Sequence, residues 1–131
     1  MPIVDQFELL APNGKGIYGE LDDLGVVEFV ILAGEGSWIR GTELFNRMMD
    51  HFGDHVIAIH GSWRKKPGGD ISTNIDKVNE LTSSGMPLEN AVYHAWTATR
   101  ARKRGFSSVS VIGVPEGISG AYIKIDVLIG K

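Results

Sequence analysis

Residues 26–33 read Val-Val-Glu-Phe-Val-Ile-Leu-Ala, an apolar run broken once, and no other stretch constrains the fold as much. The run is strand-sized, far short of the roughly 20 apolar residues that a membrane-crossing helix needs. Apolar side chains on both alternating faces predict a central strand covered on both sides. Residues 7–10 and 17–21 read as further strands, separated by the turn signals Pro12-Asn13-Gly14 and Asp22-Asp23-Leu24-Gly25. Thr42 is a good N-cap for a first helix, in which Leu44, Phe45, Met48, Met49 and Phe52 recur at helical spacing before Gly53. Residues 55–60 read as a fourth strand and 61–69 as polar loop. Ser72 or Thr73 caps a second helix carrying Ile75, Val78 and Leu81. Pro87 and Glu89 open a third, which runs to Gly105. Residues 107–112 and 121–129 are strands; in the latter Ile123, Ile125, Val127 and Ile129 share one face, and Tyr122, Lys124 and Asp126 the other.

The order is β-β-β-α-β-α-α-β-β. It predicts an α+β fold in which three helices cover one mixed, mostly antiparallel six-stranded sheet, as a single domain over residues 1–131. At 131 residues, 43% of them hydrophobic, the chain buries about two-thirds of its unfolded surface and needs no staples. Cysteine is absent, which excludes a disulfide framework and thiolate zinc sites but not export. The N-terminal Met-Pro-Ile-Val-Asp lacks the basic segment and apolar run of a signal peptide. No membrane partner is expected.

The net charge of −3 conceals an asymmetry. Residues 1–63 hold ten acidic and three basic side chains, and residues 64–131 six acidic and ten basic. Seven basic residues form two clusters, Arg64-Lys65-Lys66 and Arg100/Arg102/Lys103/Arg104. They read either as an anion-binding face for a nucleotide or nucleic acid, or as ordinary solvated loop and helix-end charge.

Several residues invite a chemical reading. His60-Gly61-Ser62-Trp63 falls at a strand's C-terminal end, where open α/β sheets bind ligands beside a crossover. An imidazole there suits proton transfer, with Ser62 and Trp63 against the substrate, although no carboxylate adjacent in sequence orients the ring. The alternative is a strand-end His60 making a local hydrogen bond, with Trp63 a lid on the core. Asn74 fits capping of helix two or substrate contact. Asn79, a poor helix former in mid-helix, fits a positioning donor and acceptor. Trp96 and Arg100 stand one turn apart, as an aromatic-plus-cation surface for a nucleotide or an exposed cation–π pair. Thr97 beside them and Tyr122 on the last strand complete the set. His60, Asn79 and Thr97 are expected to converge as the catalytic group, with Arg40, Ser62, Trp63, Asn74, Trp96, Arg100 and Tyr122 around the substrate. His51 and His55 have the i, i+4 spacing of a helical metal site, but Gly53 between them breaks the helix, so surface histidines are expected and no metal is assigned.

Two resemblances bear on function. The element order resembles the core of the GNAT acyltransferases, in which a meander leads through a glycine-containing loop into a helix. Residues 34–41 stand where that loop holds the coenzyme A pyrophosphate, and Arg40-Gly41 is the matching pair, though the family's compact glycine spacing is not reproduced. The second resemblance covers about residues 26–131. Ile39-Arg40-Gly41-Thr42-Glu43-Leu44-Phe45, Met48-Met49-Asp50-His51-Phe52-Gly53, Gly61-Ser62-Trp63, Asn74, Val78-Asn79-Glu80-Leu81-Thr82, Trp96-Thr97, Gly105-Phe106 and Gly120-Ala121-Tyr122 look like C-terminal modules of bacterial polymorphic toxins of the Rhs and filamentous-haemagglutinin type. That resemblance implies a toxin-type effector domain, delivered from another cell to a cytoplasmic site of action and neutralised by a cognate immunity protein. The chain is then either a piece of a larger protein or a free-standing relative. An enzyme acting on a nucleotide-containing target is the first expectation. A coenzyme A-dependent acyltransferase is the second, and a non-enzymatic binding or immunity-type partner the third. No cofactor is required by the residues themselves.

Overall fold

The computed structural model describes residues 2–32, 39–66 and 73–131. In chain order these form β1 (Ile3–Leu10), β2 (Gly16–Asp22), β3 (Val26–Leu32), α1 (Gly41–Phe52), β4 (Ala58–Arg64), α2 (Thr73–Ser83), α3 (Leu88–Ala91), α4 (Trp96–Arg102), β5 (Ser108–Ile118) and β6 (Ala121–Gly130). Short 3-10 turns occupy Gly53–His55 and Val92–His94. The fold is α+β, with a six-stranded, mostly antiparallel sheet in the order β1-β2-β3-β4-β6-β5, and four helices among the described residues. The chain divides into two compact units, Met1–Ile59 and His60–Lys131.

The first unit is an antiparallel β1–β2–β3 meander with α1 on one face. The β2–β3 turn is held by Asp22, whose Oδ1 accepts from Leu24 N at 2.8 Å and Val26 N at 3.0 Å. Leu44, Phe45, Met48, Met49 and Phe52 of α1 are buried, and the Phe29 and Phe45 rings meet at 5.5 Å. Gly19 permits this approach, because a Cβ there would lie 2.5 Å from Met48 Sδ. The helix begins at Gly41 with Arg40 as its N-cap residue, not at a Thr42 cap, and no side chain caps it.

β3 also pairs in parallel with β4, at Val26↔Ala58 and Val27↔Ile59, so it is the interior strand its composition predicts. It is not covered on both faces. Val27 is fully buried, whereas Glu28, Val30 and Leu32 are exposed. One helix can cover only one face of a meander, and Glu28 marks the other.

In the second unit β6, paired with β5 in a hairpin, buries Ile125, Val127 and Ile129, and α2 packs on it; Val78 of α2, Val92 of the turn after α3 and Ala98 of α4 are fully buried as well. Ile123, at the start of the same strand, is 55% exposed and lines a groove beside α2. A single helix over 87–105 is not formed. The backbone turns extended at Ala95, with ψ at 155°, and splits the segment into α3 and α4, so the expected three helices become four. Asn74 compensates for the break by accepting a hydrogen bond from Thr97 N at the new helix start.

β4 is also displaced from its expected position. Residues 53–55 form a turn, and Gly61-Ser62-Trp63 belong to the strand instead of a polar loop. Trp63 is the cause. Its indole is buried across Gly61, where a Cβ would lie 2.5 Å from Nε1, and that contact draws the chain into the sheet. His60 is therefore a strand-interior residue.

Candidate functional site

Alternation along β4 turns Ile59 and Trp63 inward and His60, Ser62 and Arg64 to the opposite face. The Lys65 N–H bonds Ile123 O, and Gly61 approaches Val127, so β4 and β6 run antiparallel. Counted along that register, Ser62 stands across from Asp126. His60 Nε2 lies 3.7 Å from Asp126 Oδ1, and Lys124 Nζ lies 3.6 Å from Asp126 Oδ2. His60 is 27% and Asp126 28% exposed, so both reach solvent and a ligand could reach them. The chemistry open to this row is proton transfer at His60, orientation of its ring by a carboxylate, a neighbouring hydroxyl, and a cation. Asp126 is the residue that sequence spacing cannot supply, since 66 positions separate it from His60. The alternating polar face of the last strand was the only sign of it.

Asn79 and Thr97 are each committed to another residue. Asn79 Nδ2 donates to Tyr122 O at 3.0 Å, and its Oδ1 accepts from Tyr122 N at 2.7 Å. Thr97, 2% exposed, accepts at Oγ1 from Asn74 Nδ2 at 3.0 Å, while its N–H donates to Asn74 Oδ1 at 2.9 Å. Asn74 and Thr97 therefore meet directly, as do Asn79 and the Tyr122 backbone. His60 is paired with β6.

Two shallow grooves flank α2. One, of about 460 Å³, is lined by Thr73, Lys77, His94, Trp96, Thr99 and Arg100 together with Asp76 and Glu80. The Arg100 guanidinium lies 4.4 Å from the Trp96 ring centre and donates to Thr99 Oγ1 and Trp96 O. Partial burial lowers the Arg100 pKa by desolvation, and the guanidinium stays charged at neutral pH. The other groove, of about 550 Å³, is lined by Lys65, Asn79, Ser83, Tyr122 and Ile123 with the same two acids. Lys65 pairs with Asp76 between them.

Of the remaining candidates, Arg40 is exposed at the head of α1, and residues 33–38 of the expected pyrophosphate loop lie outside the described residues. Within the basic clusters, Arg102 lies 5.7 Å from the Tyr93 ring. His51 pairs with Asp5 at 3.1 Å, whereas His55 lies in the following turn. Among the described residues no group of three His, Asp or Glu side chains is placed to hold a metal ion, and no helix is long and apolar enough to cross a membrane.

Fold and site together define an α+β protein with an imidazole–carboxylate pair on a strand face and an aromatic–cation groove beside a helix. No family model, curated protein or solved structure matches the chain.

Proposed function

We propose that this chain is a toxin-type effector domain that acts as an enzyme on a nucleotide-containing target, with His60 as the proton-transferring group. The observation that carries the reading is the His60–Asp126 pair, flanked by Ser62 and Lys124 on an accessible strand face. A base in a hydrolytic or transfer reaction must take a proton from an attacking hydroxyl, and a carboxylate beside the ring stabilises the imidazolium that results. The Trp96–Arg100 groove supports the choice of target, since an aromatic ring and a guanidinium match a base and a phosphate. Asn79 and Thr97 enter this reading as positioning residues that fix β6 and α4.

Inducible expression in a bacterium, followed by growth and by breakdown or modification of labelled RNA and nucleotides, tests it. The intact sequence should arrest growth, and His60→Ala should relieve the arrest with an unchanged melting temperature. Asp126→Asn should weaken it about 10²-fold or more at the level of turnover. Undiminished toxicity in His60→Ala, or no toxicity in the intact chain, would sink the proposal.

A further inference from the structure

The second unit carries its two candidate surfaces on opposite sides. α2 packs on β6 with Ile75, Val78 and Thr82 buried, so Thr73, Lys77 and Glu80, which line the Trp96–Arg100 groove, face solvent on the far side of the helix. Trp63 and Val127 share the buried face of the sheet, and alternation turns His60, Ser62 and Arg64 to its other face. A helix is about 10–12 Å across with its side chains, so more than about 10 Å of protein separates the groove from His60.

A continuous surface nevertheless joins them. The Trp96–Arg100 groove and the groove on the other flank of α2 share Asp76 and Glu80, and the second contains Lys65, the residue after Arg64. Cations of the chain itself meet the carboxylates on this route: Asp76 pairs with Lys65, and Glu80 with Lys77 at 3.6 Å. Arg64 is exposed, and among the described residues its guanidinium has no ion pair or hydrogen bond. It stands roughly 7 Å along the strand from Ser62, on the His60 face.

We infer that the target is a single-stranded polynucleotide, gripped at Trp96–Arg100, led past Lys65 round the end of β4, and presented to His60 with a phosphate on Arg64. The inference rests on the enzymatic reading above and narrows its target from any nucleotide to a strand. Size decides between the two. At about 3.4 Å per stacked nucleotide, a mononucleotide cannot touch both surfaces, and the path round the strand end takes several nucleotides. Stiffness excludes a duplex, whose persistence length of about 150 base pairs forbids so tight a turn. The two ends of the track suit a flexible strand: an indole for a base, and guanidinium groups for bidentate contact with phosphates.

End-labelled ribo- and deoxyribo-oligonucleotides of one, two, four, eight and twelve nucleotides test this on the full chain, by anisotropy titration and by their breakdown. Affinity should rise about tenfold or more between the dinucleotide and the eight-mer, as a second linked contact is gained. A duplex of the same sequence should bind more weakly than its strands, and the series that binds more tightly names the sugar. Trp96→Ala with Arg100→Gln, checked for folding by its melting curve, should bring the eight-mer down to the dinucleotide's affinity. Arg64→Gln alters an exposed side chain and leaves the fold intact. It should weaken the eight-mer about tenfold and flatten the slope of log affinity against log salt by about 0.7. Length-dependent binding with no breakdown by the intact chain would sink the enzymatic reading and leave the strand track standing. Equal affinity for the mononucleotide and the eight-mer, equal binding of the duplex, or a length dependence that survives both variants would overturn the inference.

Discussion

The side-chain amide of Asn79 pairs with both backbone polar groups of Tyr122, as a neighbouring strand would. A helix residue thus supplies one rung of a sheet ladder and fixes where β6 begins. Replacing it with Ala leaves a partly buried N–H and C=O unpaired. Each such group costs about 1–3 kcal/mol, so Asn79→Ala should lower stability by roughly 2–4 kcal/mol in denaturant titration. Asn79→Asp keeps the acceptor and loses the donor, and should fall between. A loss below about 0.5 kcal/mol would show that solvent replaces the amide freely.

Asn74 and Thr97 form a second lock of the same kind. Asn74 Oδ1 takes one of the N–H groups that the start of α4 leaves without a helical partner, a capping role filled from 23 residues away. Asn74→Ala should therefore cost about 1–2 kcal/mol. Thr97→Val keeps the shape but removes the hydroxyl that Asn74 Nδ2 bonds, and should cost about 1 kcal/mol. Both are expected to lower the melting temperature. A variant that lost activity at an unchanged melting temperature would point instead to substrate contact by Thr97.

These locks show where sequence reading reached and where it stopped. Element order was legible because hydrophobic period changes from two to 3.6 between strands and helices, and Leu44, Phe45, Met48, Met49 and Phe52 are buried as spaced. The break at Ala95 was not legible, because neither Gly nor Pro marks it and a hydrogen bond from distant Asn74 sustains it. The extent of β4 was misread for a related reason: Gly61 looked like a loop residue, but it is the space that Trp63 fills. His60 was identifiable as a lone imidazole, whereas Asp126 became its partner only through the β4–β6 register. Asn79 stood out as an unfavourable mid-helix residue, and the fold gives that oddity a structural use.

Tyr18 ties stability to alkaline pH. Its phenol is raised above the ordinary 10.0, first by its hydrogen bond to Glu20, then by desolvation and by the charges of Glu20 and Glu8. A group whose folded pKa is raised contributes stability that is fully present below the unfolded value. That contribution is lost as pH climbs through the folded one. Melting temperatures measured from pH 8 to 11.5 should therefore fall above about pH 10, and Tyr18→Phe should flatten the fall. Equal slopes in the two proteins would remove Tyr18 as the cause.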